Sequence, residues 1–216
     1  TFSGTTQQVL LALGSDIDSS TKVTITDNAY TSANLLTIVG TATAYPVVLQ
    51  KTAAAVAIED TAANLIIILA GVKQYTGPLK ATDTSISAAD LNKIAARTTG
   101  KVTATLAPTD INAALVAALK DVKATDVITF EPTDNDLVGN TDINALISLN
   151  KILPKADWKA INSIQGTAND VSIIKQALAI AKNPALTVEI TAGIISAEDA
   201  NAIDKLASGE LTATIK

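Results

Sequence analysis

The sequence predicts an α/β fold, a set of tandem strand–helix repeats forming a parallel-sheet solenoid with helices mainly on one face. Three observations carry this prediction. Short stretches alternate apolar residues with Thr at period two, the mark of a half-buried strand. Ala/Leu/Ile-rich segments with helix-start signals lie between them. Successive strands begin roughly 25 residues apart, the room that a strand, a helix and two short loops need.

In chain order the strand signals are KVTIT (Lys22–Thr26), VAIE (Val56–Glu59), LKAT (Leu79–Thr82), KVTATL (Lys101–Leu106), VITF (Val127–Phe130), KAINSI (Lys159–Ile164), LTVEIT (Leu186–Thr191) and LTATI (Leu211–Ile215). The helix starts are read at Asp60, Ser87, Thr109, Thr141 and Ser196, each able to accept an N–H of the first turn. Ser87 and Ser196 each have an acid three residues on, Asp90 and Asp199, which suits the helix dipole. Ile111, Leu115, Ala118 and Leu119 lie on one helical face. The run LIIILAGV (Leu65–Val72) reads as a fully buried helix, being far too short for a membrane span. Strands alternating with helices imply parallel pairing with right-handed crossovers. A sheet covered on both faces would read as continuous apolar runs; these strands alternate, so one face is expected to stay open. The whole chain, 1–216, is expected to be one array of about eight units, with irregular insertions near 43–55 and 131–140. Its last segment, LTATIK, reads as a strand awaiting a further unit.

Composition narrows the chemistry. Of 216 residues 48% are hydrophobic and only 3% aromatic, so the core is built from small and branched side chains. The net charge is −5, and the 16 basic residues include one arginine, Arg97, and do not cluster, which argues against a nucleic-acid partner. Cys, His and Met are absent. Thiolate nucleophiles, zinc–thiolate sites and triads built on His are thereby excluded. No signal peptide or membrane span is legible.

The stretch VAIEDTAANL (Val56–Leu65), followed by LKATDTSISAADLNKI (Leu79–Ile94), resembles the Ala/Thr-rich repeats of large bacterial secreted surface proteins, including haemolysin-type (RTX) adhesins and S-layer-like proteins. The likeness covers most of the chain by rhythm and about ten residues by motif. It implies a secreted or cell-surface setting and like subunits or other surface proteins as partners. The Gly-Gly-rich calcium nonapeptide of that group is missing here, so its calcium-dependent β-roll is not carried over.

Five groups of residues are candidates for chemistry. In EPTDNDLVGNTD, Asp134, Asp136, Asn140 and Asp142 match offsets of a calcium loop, although Val138 and Ala145 stand where further ligands belong. The same segment reads equally as a solvated turn leading to a helix, or as half of a carboxylate pair with Glu131. Asp16 and Asp18 form a second acidic turn. Trp158, Tyr45 and Tyr75 are either a sugar-stacking set or loop anchors. Ser172 and Lys175 have the S-x-x-K spacing within an ordinary helical pattern. The Thr rows (Thr24, Thr26, Thr103, Thr105, Thr212, Thr214) have the form of an ice-matching face or of ordinary β propensity. The expectation is a non-enzymatic structural or adhesive module without a cofactor other than calcium. A glycan-binding module taking polysaccharide is the alternative, ahead of a carbohydrate-active enzyme or an ice-binding surface.

Overall fold

The structure, a computed structural model, describes residues 1–50, 56–73, 75–133, 135–207 and 209–216. It is an α/β protein of parallel sheets and helices. The chain divides into two compact units: Thr1–Thr105 with Asp121–Val127, and Leu106–Lys120 with Ile128–Lys216.

The first unit runs β1 (Phe2–Gly4), α1 (Thr6–Ala12), β2 (Val23–Ile25), α2 (Ser32–Thr41), β3 (Val47–Leu49), β4 (Ile58–Asp60), α3 (Ala62–Gly71), β5 (Val72–Lys73), β6 (Leu79–Ala81), α4 (Ala88–Ala95) and β7 (Val102–Thr105). One sheet has the order β1-β2-β3-β5; β4, β6 and β7 follow one another in a second. Parallel register puts Phe2 beside Val23, Val47 beside Val72, and Ile58, Leu79 and Val102 in one row. Val23, Val47, Val72, Ile58, Leu79 and Val102 are buried, whereas Thr24, Lys80 and Thr103, one position along, are partly or fully exposed. Burying each such Val, Leu or Ile contributes roughly 1.5–3 kcal/mol. Consecutive helices pack on one another from α1 to α4. A Cβ on Gly71 would stand 2.5 Å from the Val39 Cβ, so glycine is what lets α3 approach α2 this closely.

The second unit holds α5 (Ala113–Ala118), β9 (Asp136–Val138), α6 (Gly139–Ile152), β10 (Ser163–Thr167), a 3-10 turn (Ala168–Asp170), α7 (Val171–Ala181), β11 (Thr187–Ala192), α8 (Ala197–Leu206) and β12 (Leu211–Thr212). Strand β8 (Val127–Thr129) starts at the end of the first unit's share of the chain and finishes in the second's. The sheet order is β12-β11-β10-β9, with Leu137, Ile164, Val188 and Leu211 in one row and Asp136, Ser163 and Thr187 in the row beside it. The first row is buried apart from half-exposed Leu211, and the second faces outward. Helices α5 to α8 again pack on their chain neighbours.

The N-caps follow capping chemistry closely. Thr5, Thr31, Thr61, Ser87, Asn112 and Ser196 each accept the N–H three residues on, worth about 1 kcal/mol each. Ser87 and Ser196 are as expected. The starts read at Asp60 and Thr109 shift to Thr61 and Asn112. The start read at Thr141 shifts to Val138, where the Asp142 carboxylate accepts the Val138 N–H and no N-cap side chain takes part.

Three expectations about elements change. Residues 43–55 hold a strand, β3, paired with β2 and β5, although 51–55 lie outside the described residues. Within 131–140, Asp136–Val138 is strand β9 and Gly139 already begins α6. Helix α3 is amphipathic, with Leu65, Ile68 and Leu69 buried and Ile67 52% exposed, because only one side of it meets the rest of its unit. Among the described residues, no helix is long and apolar enough to cross a membrane.

Candidate functional site

The acidic segment is laid out by β9 and α6. Strand β9 is extended, so Asp136 and Val138 point outward while Leu137 enters the core. Gly139, at φ +76, turns the chain into α6 within one residue, a conformation that suits glycine. Asp136 accepts from the Ser163 hydroxyl at 2.7 Å. Asn140 donates its amide to Asp170 at 2.9 Å, and its side-chain oxygen accepts from the Asn144 amide at 2.6 Å. Asp142 takes the Val138 N–H. Asp134 lies outside the described residues. Strand followed at once by helix does not wrap side chains around a point, and each described candidate ligand bonds a different protein group. Among the described residues, no cluster of three acidic side chains is poised to hold a metal ion.

The aromatic residues do not form one platform. Trp158 is 4% exposed, packs edge-on against Phe130 at 5.7 Å between centroids, and donates Nε1–H to Asn150. Tyr75 is 3% exposed and donates its hydroxyl to the Val56 carbonyl. Burial pushes its phenol far above the ordinary range. Both rings are buried, which fits the loop-anchor reading of these two residues rather than the sugar-stacking one. Tyr45 is different: it is 45% exposed and carries the Lys22 ammonium 5.1 Å above its ring, a cation–π contact. It lines a cleft with Val39, Ala42, Pro46, Ile67 and Gly71.

The remaining candidates resolve into structural roles. Asp18 is an Asx-type turn acceptor for the Ser20 and Thr21 hydroxyls, which hold its carboxyl below the usual range. Lys175 is paired with Asp199 at 2.9 Å across to the next helix. The Thr rows break up. Thr24 lies between Ser3 and Val48, Thr103 is next to Lys80, and Thr212 is next to Glu189. Their neighbours are a Glu59–Lys80 ion pair and a Gln165–Glu189 hydrogen bond, not a repeated Thr lattice.

Several buried polar residues escaped the sequence reading. Asp126, 2% exposed, accepts the Val102 N–H at 2.8 Å and the Lys123 N–H at 2.9 Å. Lys123 donates to the Thr98 and Gly100 carbonyls, and Thr98 donates to Tyr75 O. Asp170 gathers the Asn140 amide and both donors of Thr167, which hold its carboxyl below the usual range. The local signal was present in the Thr–Asp and Asn–Asp pairs flanking strands, but Val102 and Asn140 lie 24 and 30 residues away from the carboxylates they bond.

The outward sheet rows are polar apart from positions such as Val48 and Val138. Exposed apolar side chains sit at Leu11, Tyr45, Val48 and Ile67 in the first unit and at Val138, Ile194, Leu206 and Ile215 in the second. Comparison with protein-family models, with curated proteins and with solved structures found no match to this chain in any of the three.

Proposed function

We propose that this chain is a structural or adhesive module of a bacterial cell-surface, surface-layer or filament-forming secreted protein, acting through self-assembly or surface contact. The observation that carries this reading is the pairing of an open polar sheet face with isolated exposed apolar side chains. Tyr45, Val48 and Ile67 in the first unit and Val138, Ile194 and Leu206 in the second are 38–59% exposed. Single apolar contacts set in a polar, low-charge surface suit repeated lateral contacts. The finer architecture proposed with it is a solenoid. Parallel ladders with partners 21 to 27 residues apart, and helices packed on their chain neighbours, support that reading.

Light scattering across a concentration series tests it. The expected result is a mass that rises with concentration, and a lower mass at matched concentration for Ile67→Lys and Ile194→Lys. A strictly monomeric species throughout, together with no adsorption to cell-wall material, would sink the proposal.

A glycan-binding module is the second reading, and one observation favours it. Tyr45 presents an exposed ring beside Pro46 in a cleft of about 350 Å³. Tyr45→Ala should abolish any glycan-array signal, while Trp158→Ala, acting on a buried anchor, should lower stability instead.

A further inference from the structure

Two repeats of the first unit share a contact that the registers place identically. Gly4 pairs with Ile25, and the ladder continues through Thr26 N–H to Gly4 O at 2.9 Å. Asp60 pairs with Ala81, and Thr82 N–H reaches Asp60 O at 2.9 Å. The next residue in each case is an aspartate, and the register sets it over the start of the preceding helix. Asp27 accepts the Thr6 N–H at 2.9 Å and the Thr6 hydroxyl at 2.6 Å. Asp83 accepts the Ala62 N–H at 2.6 Å. Thr6 and Ala62 are each the first residue of their helix, directly after the N-caps Thr5 and Thr61, and both are buried. The threonine caps take the N–H of the third helical residue. The first N–H is left for a partner from outside the helix.

We infer that the Thr–Asp steps at 26–27 and 82–83 are inter-repeat clasps, in which the carboxylate of one repeat fixes the first turn of the helix in the repeat before it. The second unit supplies the contrast. Thr167 and Ala168 stand where Thr5–Thr6 and Thr61–Ala62 stand, but the facing strand reads Thr191, Ala192, Gly193. Gly193 takes φ +87, and a Cβ on it would lie 2.7 Å from the Ala168 Cβ. There the backbone closes onto the helix start with no carboxylate at the position of Asp27 or Asp83, and Asp170 instead accepts the Thr167 N–H and hydroxyl within the turn and the Asn140 amide at the start of α6. A clasp made between repeats couples them: opening one repeat strips a buried N–H of its acceptor in the repeat before.

Amide hydrogen exchange read residue by residue on the full chain tests this. In Asp27→Ala the Thr6 amide and the first turn of α1 should exchange about 10-fold faster or more, the equivalent of losing one charge-assisted hydrogen bond. In Asp83→Ala the Ala62 amide and the first turn of α3 should do so, each with α7 unchanged. Asp27→Asn keeps an acceptor oxygen and should hold the Thr6 amide nearer its native rate, which covers the case in which the alanine variants fold poorly. Acceleration no greater at Thr6 or Ala62 than across the rest of the first unit would overturn the inference, as would an Asp27→Asn variant that exchanges at Thr6 as fast as Asp27→Ala.

Discussion

The carboxylates of this protein work as backbone acceptors, and that sets its response to acid. Burial pushes the Asp27 carboxyl up, but the Thr6 hydroxyl and the N–H groups of Thr6 and Ala29 outweigh it and hold it below its ordinary value of 3.8. At Asp60 burial is likewise outweighed, by the Asn64 amide, the Thr61 N–H and the Ser32 hydroxyl. The Asn140 amide and Thr167 lower Asp170. A carboxyl whose folded value lies below its unfolded one stabilises the fold fully above the unfolded value and loses that contribution as pH falls through the folded one. Denaturant midpoints are therefore expected to be flat from pH 7 to about 5 and to decline below about 4. Asp170→Asn should lower stability at pH 7 by about 1.5–3 kcal/mol and flatten the acid limb. Equal pH dependence in Asp170→Asn and the native chain would contradict this assignment. At this scale the sequence was readable where the chemistry is local. Ser87 and Ser196 cap as expected, because an N-cap and an acid three residues on lie within one turn. Asp126 was not readable, since its partner Val102 comes from another repeat. Trp158 and Tyr75 look alike whether they anchor a loop or face a ligand, and only burial separates the two.

Elements were legible wherever periodicity had room to repeat. β2, β6, β7 and β8 lie within the segments read as strands, β11 runs one residue past its segment, and α4 and α8 begin at their predicted caps. β3 reads Val-Val-Leu without alternation, and β5 and β9 adjoin α3 and α6 with no loop between to mark them. α6 hides its start because Gly139 turns the chain directly, leaving no capping spacer. Helix α3 shows the opposite failure. Its composition is so uniformly apolar that the sequence gives no hint of a wet side, yet Ile67 is exposed while Leu65 and Ile68 are fully buried. The two kinds of position separate in a stability measurement. Leu65→Ala, opening a cavity, is expected to cost about 2–5 kcal/mol. Ile67→Lys should stay within about 0.5 kcal/mol. A large loss in Ile67→Lys measured at low protein concentration would mean that this side of α3 is covered within the folded chain.

For the molecule as a whole, the α/β class and the parallel pairing followed from strands that alternate with helices and never meet in a short hairpin. The division into two compact units did not follow, because the strand–helix rhythm runs through the boundary near residues 106–127 without a Gly/Pro/Ser-rich linker to mark it. Metal dependence of folding would be a property of the whole molecule. A site holding calcium in the folded state alone stabilises by RT ln(1 + [L]/Kd), about 2.7 kcal/mol at one hundred times Kd. An extracellular-type site with Kd near 10⁻⁴ M would thus raise the melting temperature by several degrees at 10 mM calcium. Here Asp136 holds Ser163, Asn140 holds Asp170, and Asp142 holds the start of α6. Calcium would compete with those bonds for Asp136, Asn140 and Asp142. The melting temperature is therefore expected to agree within about 1 °C between 10 mM calcium and excess chelator, with no calorimetric heat at millimolar calcium. A rise of several degrees that disappears in Asp136→Asn with Asp142→Asn would reinstate the acidic segment as a metal site.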